Sequence, residues 1–248
     1  MLTSRPRVAV LCSRRCPGLE SLLAGHHRDF ELAGCLISDG GLPDRRRLEA
    51  ARVPVRDHPI RAFYGGHPLS DFRLRRDYDR ASVGYLRAWR PDVVLLSSYL
   101  YLLTDPVLEA FPERIANVHG SDLTLKAAGG HPLYAGLRAV RDAIRAGELE
   151  TRATAHIVTE RLDEGPILLR SRSFPVAPLV AELRRRGLAR AVDAYAFAHQ
   201  EWMLEAAWGP LLTGAIALMN GRIERLRNEF HLAPANRPGT IALAGVRP

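Results

Sequence analysis

Short, unbroken apolar runs separated by helical segments constrain this chain more than any other feature. The run RVAVLC is apolar from Val8 to Cys12, and Phe30 to Ser38 (FELAGCLIS), Asp92 to Ser97 (DVVLLS) and Ile115 to His119 repeat the pattern. A strand that is apolar on both faces is buried on both faces, as in a parallel sheet covered by helices on each side. Between the runs lie segments of helical spacing: Leu19 to Ala24, Leu48 to Arg52, Tyr78 to Trp89 before Pro91, and Tyr134 to Ala146 before Gly147. Thr104-Asp105-Pro106 reads as a helix start, with Thr104 as the N-cap. Val53 to Val55 begins a short strand, and Thr154 to Val158 and Ile167 to Arg172 are two more, joined by a loop that holds Asp163. The alternation predicts an α/β fold: a Rossmann-like, mostly parallel sheet with helices on both faces over the first ~175 residues.

The remaining segments read differently. Asp57 to Arg76 is rich in His, Gly, Pro and Arg, the composition of a long surface loop. From Val180 the pattern is helical to Asn220, with a break expected at Gly209-Pro210. The tail, Arg222 to Pro248, holds a short apolar run from Thr240 to Leu243 suited to a small hairpin or arm. This gives an α/β domain over residues 1–178 and a C-terminal helical extension with a tail, residues 179–248, packed on it.

Composition narrows the partners. The 248 residues are 47% hydrophobic and 25% charged, suiting one large globular domain with an appendage. No apolar stretch reads as long enough to span a bilayer, and the N-terminal residues run straight into a first strand and not a signal peptide, so a cytoplasmic protein is expected. The formal charge is +8, almost all arginine, since Lys126 is the only lysine. The arginines are scattered and no basic face carries stacking aromatics, so a small anionic substrate is expected and nucleic acid is not. Cys12, Cys16 and Cys35 are odd in number and lack zinc-site spacing, so no metal is expected. Cys12 and Cys35 read as buried thiols, and Cys16, in a loop, as the one to watch.

The chemistry concentrates after the strand at residue 115. Asn117-Val118-His119-Gly120-Ser121 puts an amide and an imidazole two residues apart, on one face of a strand end. Both groups donate hydrogen bonds to a developing oxyanion, and the imidazole also moves protons. Alone, the spacing fits a structural histidine as well. A second stretch follows: Thr154-Ala155-His156-Ile157-Val158, then Leu162-Asp163-Glu164-Gly165-Pro166-Ile167-Leu168. The two stretches in this order resemble the folate-dependent formyltransferase family. Arg90-Pro91-Asp92-Val93-Val94 with Ser98 to Thr104, and Phe111 to His119, are similar to that family's folate-pocket strand and its approach to the catalytic strand.

The resemblance implies roles. Asn117 and His119 would stabilise the oxyanion formed when an amine attacks the formyl carbon of 10-formyltetrahydrofolate. Asp163 would pair with His119 and help relay a proton to the leaving folate nitrogen. Tyr99, Leu100, Tyr101, Leu102, Leu103 and Gly165 would bind the folate, while Ser121 and His156 would support the catalytic groups. Glu164 reads as a solvated loop charge. The implied activity is formyl transfer to an amine of a small metabolite, with hydrolysis of a formyl compound by the same residues as the alternative. The apolar C-terminal helices offer surface for a homodimer.

The chain departs from the family in three places. The Gly-rich phosphate loop of the family's purine-pathway members is replaced by Ser13-Arg14-Arg15-Cys16-Pro17-Gly18, which argues against glycinamide ribonucleotide as acceptor; Arg14 and Arg15 read as contacts for an anionic acceptor or as exposed loop arginines with no role, and Ser13 and Arg14 are counted with the substrate-side and supporting residues. A Leu-Leu-Pro stretch is replaced by Asp122 to Pro132, whose Gly129-Gly130 suits a loop over the acceptor side. The short tail and the early first strand read as leaving no room for the extra tRNA-binding or regulatory domains of some family members, so none is expected.

Overall fold

The computed structural model describes residues 5–221 and, as backbone, two short tail strands at 232–233 and 242–243. The chain divides into two compact units, Met1–Asn117 with Ile157–Glu160, and Val118–His156 with Arg161–Pro248.

The first unit alternates strand and helix: β1 (Arg7–Cys12), α1 (Leu19–Gly25), β2 (Glu31–Ile37), α2 (Arg45–Ala50), β3 (Val55–Asp57), α3 (Ile60–Tyr64), α4 (Phe72–Trp89), β4 (Val93–Leu96), α5 (Asp105–Ala110) and β5 (Ile115–His119). These five strands pair parallel. Beneath α4 and α5, Leu11, Val83, Leu86, Val94, Val107 and Ile115 share one buried cluster. Truncating Leu86 to Ala would cost about 2–5 kcal/mol as a cavity.

The second unit holds α6 (Ala139–Ala146), β6 (Glu150–Thr151), β7 (Thr154–Ile157), β8 (Ile167–Arg170), β9 (Phe174–Pro175), α7 (Leu179–Arg185) and α8 (Ala189–Met219). β7 and β8 pair antiparallel, with the register slipping between Ala155 and His156. The main sheet runs β3-β2-β1-β4-β5-β7-β8, mostly parallel as the alternation of runs requires, and β6 and β9 form a separate ribbon. In the tail, β10 (Leu232–Ala233) and β11 (Ala242–Leu243) pair antiparallel as a small hairpin.

Four local expectations change. Asp57 to Arg76 is not one loop: it holds α3 and the first turn of α4. Asp71 caps that helix, accepting from the Arg73 and Leu74 amides at 3.0 and 3.1 Å, and such a cap contributes ~1 kcal/mol. The helix expected from Tyr134 begins only at Ala139, although Gly147 ends it as expected, at a φ of 104°. α8 passes through Pro210 unbroken. A proline there removes one backbone donor, but Leu211, Leu212, Ala215 and Ile216 bury the next turn and hold it helical. By length and composition α8 could cross a membrane; 61% of its most apolar window is buried inside the protein, as in a core helix.

Candidate active site

β5 ends at His119, and Asn117, two residues earlier, shares its face. His119 is buried and Asn117 half-buried. Gly120 follows because nothing larger fits: a Cβ there would lie 2.9 Å from the Val140 side chain. The chain then returns so that the Tyr134 carbonyl accepts from the Ser121 hydroxyl at 2.7 Å and lies 3.2 Å from His119 Nε2. The other face of the imidazole meets Asp163, with Nδ1 3.5 Å from Oδ2. Carbonyl and carboxylate oxygens only accept, so either neighbour can take a hydrogen bond from the ring and neither can give one.

Asp163 is itself fixed from several sides. Its Oδ2 accepts the Gly136 amide at 2.9 Å, and its Oδ1 lies 3.7 Å from His156 Nε2. The irregularity between Ala155 and His156 falls at the residue that reaches this carboxylate, and a bulge re-aims the side chain it carries. Asp163 is buried and holds a φ of 56°, in the left-handed region that side chains other than Gly, Asn and Asp seldom adopt. Gly165, two residues on, is also buried.

The segment between Ser121 and Tyr134 folds as a small hairpin. Leu133 donates to the Leu125 carbonyl and Ala127 to the His131 carbonyl, both at 2.9 Å. Its base is tied down where Asp122 accepts from Arg170 at 2.8 Å. His131 Nδ1 lies 2.5 Å from Glu164 Oε1. The expectation of a solvated Glu164 is corrected: His131, helped by Arg161, holds its carboxyl below the usual range.

The other expected residues lie in the first unit. Ser13 is fully buried, and its hydroxyl is used between Ser38 Oγ (2.8 Å) and the Leu100 amide (3.0 Å). It therefore shapes the turn after β4, acting through its neighbours. Arg14 is exposed, with Nε 3.3 Å from Asp39 Oδ2; Asp39 Oδ1 accepts the Tyr101 hydroxyl at 2.5 Å. Tyr99 is half-buried and accepts from Arg75 at 2.9 Å, and burial pushes its phenol up to about 12. Leu100 and Leu102 are exposed, while Leu103 is half-buried against the core. Thr104 occupies the cap position of α5, but its hydroxyl donates to Asp79 at 2.7 Å and caps nothing.

The loop position of Cys16 suggested access, and the structure corrects that. All three cysteines are buried, and the Cys16 thiol is pushed up by its hydrogen bond to Cys12 and by burial. Among the described residues, His26, His27 and Glu31 form the one triad spaced for a metal ion. His26 Nδ1 already accepts the Leu32 amide at 3.0 Å, which removes that nitrogen as a ligand. Sequence reasoning missed Tyr134 and Gly136, which act through backbone groups that no side-chain motif announces. It also missed Arg75 and Asp79, whose spacing of four looks like a surface helix pair.

A family profile described as "Formyl transferase" matches residues 7–215. A phosphoribosylglycinamide formyltransferase of Haemophilus influenzae is 33% identical over 174 residues, covering 69% of this chain and 74% of that protein. A formyltetrahydrofolate deformylase of Escherichia coli K12 is 35% identical over 95 residues, 38% of this chain and 31% of its own length. The match spans only 12% to 55% of several other curated relatives. Among solved structures, glycinamide ribonucleotide transformylase 1 from Symbiobacterium toebii superimposes with a TM-score of 0.63 at 26% identity, over 96% of this chain and 94% of that one.

Proposed function

The chain belongs to the formyl transferase family, and on that premise we propose that it moves the formyl group of 10-formyltetrahydrofolate to an amine of a small metabolite. The observation that carries the reading is the strand end bearing Asn117 and His119, with His119 set against the buried Asp163. In this scheme the amine attacks the formyl carbon and the carbonyl oxygen becomes an oxyanion. The Asn117 amide and the His119 imidazole donate to that oxyanion, where fixed donors act most strongly. Asp163, 3.5 Å from Nδ1, holds the imidazole in its orientation. The tetrahedral carbon then expels the folate nitrogen, which takes up the proton shed by the amine through His119. The folate is held by the loop of Tyr99 to Leu103, its exposed leucines offering an apolar slot and its backbone the polar edges.

Residues 13–18 lack the Gly-rich pattern that would cradle a ribose phosphate, which argues against glycinamide ribonucleotide as the acceptor. No metal has a step in this scheme, and the protein is proposed to work in the cytoplasm, without nucleic acid or membrane, as a monomer or homodimer. Hydrolysis is the second reading, favoured by the deformylase relative at 35% identity. In it water replaces the amine and the same three side chains act.

The test is a paired assay of wild type with Asn117→Ala and His119→Ala: formate release without amine, and tetrahydrofolate release against an amine panel. The proposal expects amine-dependent turnover that falls by about 10²–10³ in each variant with folding unchanged. Formate release that no amine stimulates selects hydrolysis. Near-full activity of His119→Ala removes both readings.

A further inference from the structure

A buried ion pair in the first unit has no part in the scheme above. Arg75 and Asp79, one turn apart on α4, meet at 3.0 Å with side chains 5% and 0% exposed. Burial opposes charging at both ends, and it pushes the Asp79 carboxyl up. Arg75 Nη1 also lacks a hydrogen-bond partner, and Asp79 Oδ1 has only the ionic contact with Nη2. Such a pair adds little to stability, and two well-packed apolar residues commonly do as well. Its presence is explained by what the remaining atoms hold.

Those atoms all reach one loop. Arg75 Nε donates to the Leu102 carbonyl at 2.7 Å, and Nη2 to the Tyr99 hydroxyl at 2.9 Å. Asp79 Oδ2 accepts both the amide and the hydroxyl of Thr104 at 2.7 Å. The loop is thus gripped at three residues between β4 and α5, while Leu100 and Leu102 stay turned to solvent. It also starts from an unfavourable backbone, with Ser98 at a φ of 51°. A loop with that start and two exposed leucines needs outside support to keep one shape.

We propose that Arg75 and Asp79 are positioning residues for the formyl donor, acting through the 99–104 loop by fixing the Leu102 carbonyl, the Tyr99 hydroxyl and Thr104. The proposal rests on the reading of residues 99–103 as the donor loop. Arg75 is too buried to offer its full guanidinium to a ligand, and both residues act at one remove.

The experiment compares the full chain with Arg75→Met, Asp79→Leu, the double variant and Arg75→Lys. The readouts are thermal midpoint, calorimetric binding of 5-formyltetrahydrofolate, and donor KM against kcat. The proposal expects each single variant to weaken folate binding and raise donor KM by about tenfold to a hundredfold, the worth of a charged hydrogen bond. At saturating donor, kcat stays within about threefold of wild type. The double variant regains its thermal midpoint, because the uncompensated charge is gone, yet keeps the weak folate binding. Arg75→Lys, which folds with the charge retained, shows the same donor defect because one ammonium cannot serve both oxygens. Recovery of folate affinity together with stability in the double variant overturns the proposal, since the pair would then only pack. Wild-type affinity in Arg75→Lys overturns it as well. Wild-type protein that binds no folate removes the donor-loop reading first, and this inference with it.

Discussion

The Tyr134 carbonyl sits 3.2 Å from His119 Nε2, on the nitrogen that would otherwise address an oxyanion. Ser121 holds the same carbonyl at 2.7 Å. In the proposed scheme, a formyl oxygen that takes its hydrogen bond from this nitrogen has to displace the carbonyl or share the donor with it. Ser121→Ala removes the carbonyl's other partner and leaves it to compete harder for His119. The expected result is kcat lower by about three- to tenfold with donor KM unchanged, a share of one hydrogen bond. Steady-state kinetics with donor varied checks it, and an unchanged kcat argues against the competition.

Asp163→Asn keeps an acceptor for the Gly136 amide, which now donates at 2.9 Å, and a residue type at home in the left-handed region. The fold should survive, with a thermal midpoint within a few degrees of wild type. Turnover should fall by about 10²-fold or more, since the imidazole loses its counter-charge. A variant that is both stable and active would show that the carboxylate charge is dispensable.

Two buried histidines, His58 and His199, contribute to the acid side of stability, beside His26, whose burial acts in the same direction. His58 and His199 both have their acidity shifted so that the ring resists protonation, in each case because it is buried. Their folded values lie below the unfolded value of about 6.5. Above that pH both states are neutral and nothing is lost. As pH falls below it, the unfolded chain takes up protons that the folded chain refuses, and stability declines. The thermal midpoint should therefore drop between about pH 6.5 and 5, before the carboxylates titrate. His58→Phe combined with His199→Gln should flatten that slope, and an equal slope in the variant would place the loss elsewhere.

The three thiols should be silent in the folded protein. Cys12, Cys16 and Cys35 are buried, and both Cys12 and Cys16 are held in the thiol form. For Cys12 the Cys16 hydrogen bond pulls the other way, but the Cys35 contact and burial outweigh it. An aromatic disulfide reagent should label none of them in native buffer and all three in denaturant. Rapid labelling of one thiol under native conditions would contradict the packing.

Gly34 marks a close approach in β2. A Cβ there would fall 2.3 Å from the Trp89 indole. Gly34→Ala must push the ring aside and should cost about 1–3 kcal/mol as overpacking. Chemical denaturation measures it; a cost below a few tenths would mean that the indole finds another place.

Much of this was legible in the residues themselves. The apolar runs located β1, β2, β4 and β5, and the β5 boundaries coincide with the run Ile115–His119, because parallel strands buried on both faces need unbroken apolar residues. The His119 and Asp163 pairing followed from the family resemblance and could not be reached from spacing alone. What stayed hidden had physical reasons. α3 and the start of α4 lie in a Pro- and Gly-rich stretch where one cap, Asp71, outweighs weak propensity. Pro210 reads as a break until the burial around it is known. Tyr134 and Gly136 contribute a carbonyl and an amide that every residue carries, so their identity is silent about their use.

The backbone angle at Asp163 constrains how this protein can drift. A φ of 56° favours Gly, Asn and Asp there, and Asp is the only one of the three with a charge. Under the role proposed for Asp163, the easiest replacements leave a folded chain with a silent site, since functional positions often hold strain that a substitution relieves. In a population of related chains, activity at this site should therefore be lost by quiet substitution well before the fold is, and inactive descendants should look structurally intact.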